Sequence, residues 1–142
     1  MMVITRKLFP IIAIGLITWS CERASEEDIN PDNPLGPNLP SLQANIFDLN
    51  CALSGCHAGS SPTQGLNLEA GQTFTNIVNV SSNQMPGLLR VRPGDPDQSY
   101  LYLKVTADPS IVGSGMPLGR PQLSEDQLEA IRLWISNGAP EN

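Results

Sequence analysis

The chain has 142 residues, room for one domain and not comfortably for two. Eight basic residues stand against 14 acidic ones, a formal net charge of −6. No basic stripe is present, which argues against a nucleic-acid binder, and only 15% of residues are charged, which argues against a highly charged disordered chain. Three Cys and one His are the whole supply of thiol and imidazole groups. A four-ligand His/Cys zinc site would need all four, and a catalytic triad would have no choice of imidazole.

The first residues read as an export signal spanning 1–20. Arg6 and Lys7 supply a basic start, and Leu8 to Trp19 is an apolar stretch of 12 residues. That is shorter than the roughly 20 apolar residues a bilayer span requires. The stretch ends in Thr18-Trp19-Ser20-Cys21, which resembles a bacterial lipobox, with Thr18 and Trp19 standing where an aliphatic and a small residue are usual. The resemblance implies cleavage before Cys21 and lipidation of its sulfur and amine. The alternative is an ordinary secretory signal that leaves Cys21 as a free thiol. Residues 21–40 then form an acidic, Pro-rich tether. Glu22, Glu26, Glu27, Asp28 and Asp32 oppose Arg23, and Pro31, Pro34, Pro37 and Pro40 recur with the period of a polyproline II helix.

The folded part is expected over 41–142. Ser41 can cap a helix running to Asn50, with Leu42, Ile46 and Leu49 on one face and Phe47 beside them. Residues 58–67 are rich in Gly, Ser and Pro and read as loop. A short helix is expected from Leu68 to Val78, although Gly71 opposes it. Asp95, Pro96 and Gln98 form a capping pattern that opens a helix from Pro96 to Val105, and residues 107–121 return to loop. Ser124 and Gln127 make a second capping box. Glu125 and Asp126 suit the first turn that follows, and Leu128, Ile131, Trp134 and Ile135 make an apolar face. Asn137-Gly138 is a stop signal. No period-2 strand is evident, so the fold class is all-α, with short helices and long loops. Phe47, Phe74, Tyr100, Tyr102 and Trp134 are its only aromatics. Such a chain buries little for its size, and a disulfide, a metal or a large apolar cofactor is expected to fill the middle.

Cys51-Ala52-Leu53-Ser54-Gly55-Cys56-His57 holds the remaining cysteines and the histidine. In the haem attachment motif C-x-x-C-H two thiols add to the haem vinyl groups and the following His ligates iron. Here the spacing is C-x4-C-H, with Cys56 and His57 still adjacent and Ser54-Gly55 able to bend sharply. The chain resembles the c-type cytochromes, in particular the small single-haem domains of exported bacterial proteins. The resemblance runs through Gly65-Leu66-Asn67-Leu68 and Val91-Arg92-Pro93-Gly94-Asp95-Pro96-Asp97-Gln98-Ser99-Tyr100-Leu101. It continues through Gly115-Met116-Pro117 and the terminal helix with Trp134-Ile135 and Gly138-Ala139.

The resemblance implies a cytochrome c-like fold around one covalently bound haem c. It places Cys51 and Cys56 as thioether donors, His57 as one axial ligand and Met116 as the other, with Met85 of the Met85-Pro86 dipeptide the weaker alternative. Arg90 and Arg92 are candidate partners for the haem propionates, or ordinary solvated charges. Tyr100, Tyr102 and Trp134 either flank the porphyrin or pack helices.

The resulting reading is a lipid-anchored monohaem cytochrome, an electron carrier rather than an enzyme. It would be exported and held to a bacterial membrane through Cys21, in the periplasm or at the cell surface, with a redox protein as partner and no nucleic acid. A second reading is a haem-free exported interaction module stapled by a Cys51–Cys56 disulfide. That bridge closes a tiny loop and adds little stability. A haem peroxidase ranks last, because no second His is available for acid–base work.

Overall fold

A computed structural model of the chain describes residues 35–142. The export segment, Cys21 and most of the tether lie outside the described residues. Within them the protein is helical, and β-structure is limited to isolated bridges with no sheet.

The first helix begins two residues earlier than Ser41. Asn38 caps it, its side-chain oxygen accepting from the Ser41 amide at 2.9 Å. Pro40 suits the first turn, where an amide N–H is not needed. The Ser41 hydroxyl turns back and accepts from the Gly36 amide. Leu39 is buried and Leu35 packs against the core, so the folded unit includes the end of the expected tether.

This helix runs as α-helix over Leu39–Leu42, π-helix over Gln43–Phe47 and α-helix over Asp48–Asn50. The wider turn shows in Asp48 N–H donating to the Gln43 carbonyl and Ala52 N–H to that of Phe47. A π turn takes up an extra residue and so shifts the phase of everything after it. Leu42, Ile46 and Phe47 are fully buried, yet Leu49, which α-spacing puts on the same face, is 58% exposed.

The second helix is confined to Thr73–Ile77. Gly71 sits at φ +78°, a left-handed conformation that ends any helix begun at Leu68. Gln43 ties this segment to the first helix. Its side chain donates to the Leu68 carbonyl at 2.9 Å and accepts from the Thr73 hydroxyl at 2.7 Å. Bridges Val78–Val91, Ser81–Leu89 and Leu89–Ser99 then hold the following excursion together.

The expected helix from Pro96 to Val105 is broken at Ser99. A 3-10 turn Pro96–Gln98, capped by Asp95, precedes a separate α-helix Tyr100–Val105. Ser99 is fully buried and extended; its hydroxyl donates to the Asp95 carbonyl and accepts from the Arg92 amide. The Tyr100 and Leu101 amides donate to the carbonyls of Leu89 and Arg90 rather than back along a helix.

The terminal helix Glu125–Ser136 follows its sequence signals. Both halves of the Ser124/Gln127 capping box form, and Ala130, Ile131, Trp134 and Ile135 are buried. Trp134 Nε1 donates to the Pro140 carbonyl at 2.8 Å, folding the chain end onto the helix. This helix contacts the first helix and the Tyr100–Val105 helix, and the core lies between them. No helix among the described residues is long and apolar enough to cross a membrane.

Candidate functional site

A cavity of about 400 Å³ opens beside this core. That volume falls in the range of small-molecule and cofactor pockets. Its walls are largely apolar, with Phe47, Leu66, Leu68, Leu101 and Val105 among them. Cys51, Cys56, His57, Met116 and Arg90 line the same cavity. Residues far apart in sequence, from Phe47 to Arg120, are thus gathered around one space.

The π turn explains how Cys51 arrives. The phase shift that turns Leu49 outward brings Asn50 and Cys51 to the cavity wall. The four residues between the cysteines fold into a tight turn. Cys56 N–H donates to the Leu53 carbonyl at 2.9 Å, and His57 N–H to the Cys51 carbonyl at 3.2 Å. Gly55 adopts φ +80° in that turn, a conformation that glycine takes without strain. The longer spacing therefore closes back on itself and leaves both cysteines on the cavity wall.

Both cysteines are free thiols. Cys56 is exposed, while burial, reinforced by the neighbouring Cys56, pushes the Cys51 thiol up to about 11. Among the described residues no three His, Cys, Asp or Glu side chains form a cluster suited to a metal ion.

His57 is fixed at both backbone and ring. Its carbonyl accepts from Leu68 N–H at 2.8 Å, and its Nδ1 lies 3.2 Å from the Leu66 carbonyl. A carbonyl can only accept, so Nδ1 carries the proton and the lone pair resides on Nε2. Burial also holds the imidazole pKa below its ordinary value. A neutral ring oriented by a backbone carbonyl is the usual preparation of a His metal ligand. The stretch Gly65 to Leu68, noted in sequence only as a motif, supplies that second contact.

The other candidates divide. Met116 is half-buried, packs against the core and lines the cavity. Met85 does not line it; its amide donates to the Ser82 hydroxyl and its carbonyl accepts from Leu88, at a turn. Arg90 is buried on the cavity wall, but Nη1 donates to the carbonyls of Asn76 (2.8 Å) and Gly65 (3.3 Å), and Nη2 to that of Gln64 (3.0 Å). Its guanidinium braces the loop that carries Leu66. Arg92 is exposed and away from the cavity. Of the aromatic candidates Tyr100 lines it, whereas Tyr102 and Trp134 do not.

Two cationic residues at the site were not singled out from sequence. Arg120 lines the cavity and donates from Nη2 to the Leu49 carbonyl at 3.3 Å, linking the loop after Met116 to the end of the first helix. Its place four residues after Met116 was the available signal. Lys104 also lines the cavity and is 8% exposed. A lysine on a short helix ordinarily reads as a solvated side chain, so nothing local marked it.

Comparison with protein-family models, curated proteins and solved structures finds no match.

Proposed function

We propose that the protein is an exported monohaem c-type cytochrome, with a cytochrome c-like arrangement of its helices, that carries electrons between redox partners. The observation that carries this reading is the convergence on one apolar cavity of Cys51, Cys56, an oriented neutral His57 and Met116. The residues present fit a haem. Two thiols offer thioether attachment, the Nε2 lone pair of His57 offers one axial bond, and the Met116 sulfur offers a soft second one. The sparse aromatic content of the domain agrees with a cofactor as part of its core.

When bound, haem supplies a one-electron ferric/ferrous couple. The chain's own contribution is to hold and shield it. Leu66 fixes the tautomer of His57, Arg90 braces the loop around Leu66, and the apolar walls keep water from the centre. His57 and Met116 would together hold the iron, and a pair of protein ligands would favour electron transfer over catalysis. Lipid on Cys21 would keep the domain at a bacterial membrane, in the periplasm or at the cell surface, and the acidic chain suits a basic or weakly charged redox protein. The alternative, an interaction module stapled by a Cys51–Cys56 disulfide, leaves the cavity and the oriented imidazole without a use.

The test is expression together with cytochrome maturation machinery, followed by denaturing electrophoresis. Haem that stays with the denatured chain, with a pyridine haemochrome spectrum of thioether-linked haem, is the expected result. A chain that takes no haem and is recovered with Cys51 bonded to Cys56 refutes the reading. Met116→Ala should remove the sulfur-to-iron absorption band and lower the potential, and Met85→Ala should do neither. Labelled palmitate should enter the wild-type chain and not a Cys21→Ser variant.

A further inference from the structure

Lys104 is the least expected member of the cavity wall. An ammonium taken out of water is costly unless its donors are satisfied. Here Nζ donates to the carbonyls of Val112 and Ser114, both at 2.8 Å. Nζ also lies 5.7 Å from the centre of the Tyr100 ring, a favourable cation–π placement. The backbone of the same residue completes the arrangement, because the Lys104 carbonyl accepts from the Met116 amide at 2.8 Å. One residue thus grips the Val112–Met116 segment at three positions.

Neighbouring contacts serve the same segment. The Tyr100 hydroxyl accepts from Val112 N–H at 3.1 Å. Gly115 lies flat against Ala107, where an added Cβ would come within 2.8 Å of the Ala107 Cβ. The segment has no regular secondary structure, so its carbonyls find partners in side chains instead of a ladder. An apolar side chain could fill the volume of Lys104 but could not hold two carbonyls.

We infer that Lys104 is a positioning residue for Met116, its ammonium holding the Val112–Met116 loop in the conformation that presents the methionine sulfur to the cavity. This rests on the cytochrome reading for its functional meaning, while the loop clamp itself rests on geometry alone. Tyr100 and Gly115 support the clamp, and Lys104 is its centre.

The experiment compares the wild-type full-length protein with Lys104→Met and Gly115→Ala. Lys104→Met keeps most of the apolar stem and removes the donors. Gly115→Ala pushes the loop from Ala107 and leaves the Lys104 ammonium and its donors unchanged. Two readouts are taken: the sulfur-to-iron band of the ferric haem protein, and hydrogen exchange across 112–116. Lys104→Met is expected to retain covalent haem, to lose the band, and to exchange the Met116 amide at least about tenfold faster. Gly115→Ala is expected to weaken the band in the same way. A Lys104→Met protein that keeps both the band and the slow exchange overturns the proposal. A wild-type protein with covalent haem but no sulfur-to-iron band also overturns it, because Met116 then has no ligand position to be held for. A wild-type chain that takes no haem refutes the cytochrome reading separately. The clamp is then decided by exchange, with acceleration confined to 112–116 supporting it and unchanged exchange overturning it.

Discussion

Arg90 offers the sharpest test of how the His57 side of the cavity is built. Its guanidinium holds three carbonyls, those of Gln64, Gly65 and Asn76. The contacts at 2.8 and 3.0 Å are good bonds, and the one at 3.3 Å adds little. Arg90→Met keeps the aliphatic stem and removes every donor. Each good bond is worth about 1 kcal/mol or somewhat more, so the loss is roughly 2–3 kcal/mol. For a domain near this size that lowers the melting temperature by about 10–20 °C. Arg90→Lys keeps the charge, but a single ammonium cannot fork onto three carbonyls, and it should recover less than half of the loss. The assay is urea and thermal unfolding of the haem-free protein by circular dichroism, with the three proteins compared at one pH. Two variants within about 0.5 kcal/mol of wild type would refute the carbonyl-clamp argument. Full rescue by lysine would refute it too, because charge alone would then account for the effect.

Three further outcomes follow from the same geometry. In the reduced haem-free protein, Cys56 should alkylate first, and Cys51, whose thiol burial pushes up to about 11, should react about tenfold more slowly than its unshifted thiol would, since the gain in thiolate nucleophilicity offsets part of the lost thiolate fraction; equal rates for the two cysteines measured by mass spectrometry would contradict the burial of Cys51. Burial holds the His57 pKa below 6.5 in the folded state, so as pH falls through about 6.5 the unfolded chain binds the proton first and the haem-free protein loses stability; His57→Gln should lack that part of the pH dependence, read from urea midpoints. Ile46→Ala should cost about 2–5 kcal/mol and Leu49→Ala less than about 0.5, and equal costs in urea unfolding would show that the π turn is absent in solution.

The terminal helix was legible because every signal for it is local. Its capping box, acidic first turn and apolar spacing all lie within the helix or next to it. Cys51, Cys56 and His57 stand out in the sequence because their residue types are rare in this composition, and Met116 because of its place before that helix; the structure brings all four to one cavity. The misplaced features have competing signals, distant partners or no signature in the sequence. Ser41 is a good cap by type, but Asn38 precedes a proline that the first turn accepts. The break at Ser99 arises because Tyr100 and Leu101 donate to Leu89 and Arg90, a pairing invisible to local propensity. The π turn has no residue signature, and it alone decides that Leu49 faces solvent while Cys51 faces the cavity. Arg90 and Lys104 read as ordinary charges until their carbonyl partners are seen.

Those carbonyl partners suggest why so loop-rich a chain can keep a cavity open. A sheet would satisfy loop carbonyls through ladders, but the described residues contain only isolated bridges. Cationic side chains take over that work around the cavity. Arg90 braces the 64–65 loop beside His57, Lys104 braces the loop before Met116, and Arg120 joins the loop after Met116 to the first helix. By contrast the ion pair Arg132–Glu129 sits on the surface of the terminal helix, where such pairs add little. Three cations thus line one apolar cavity in a chain whose net charge is −6. Arg90 and Lys104 are buried there, while Arg120 stays exposed. Placing them on the cavity wall gives the loops around the space a fixed support.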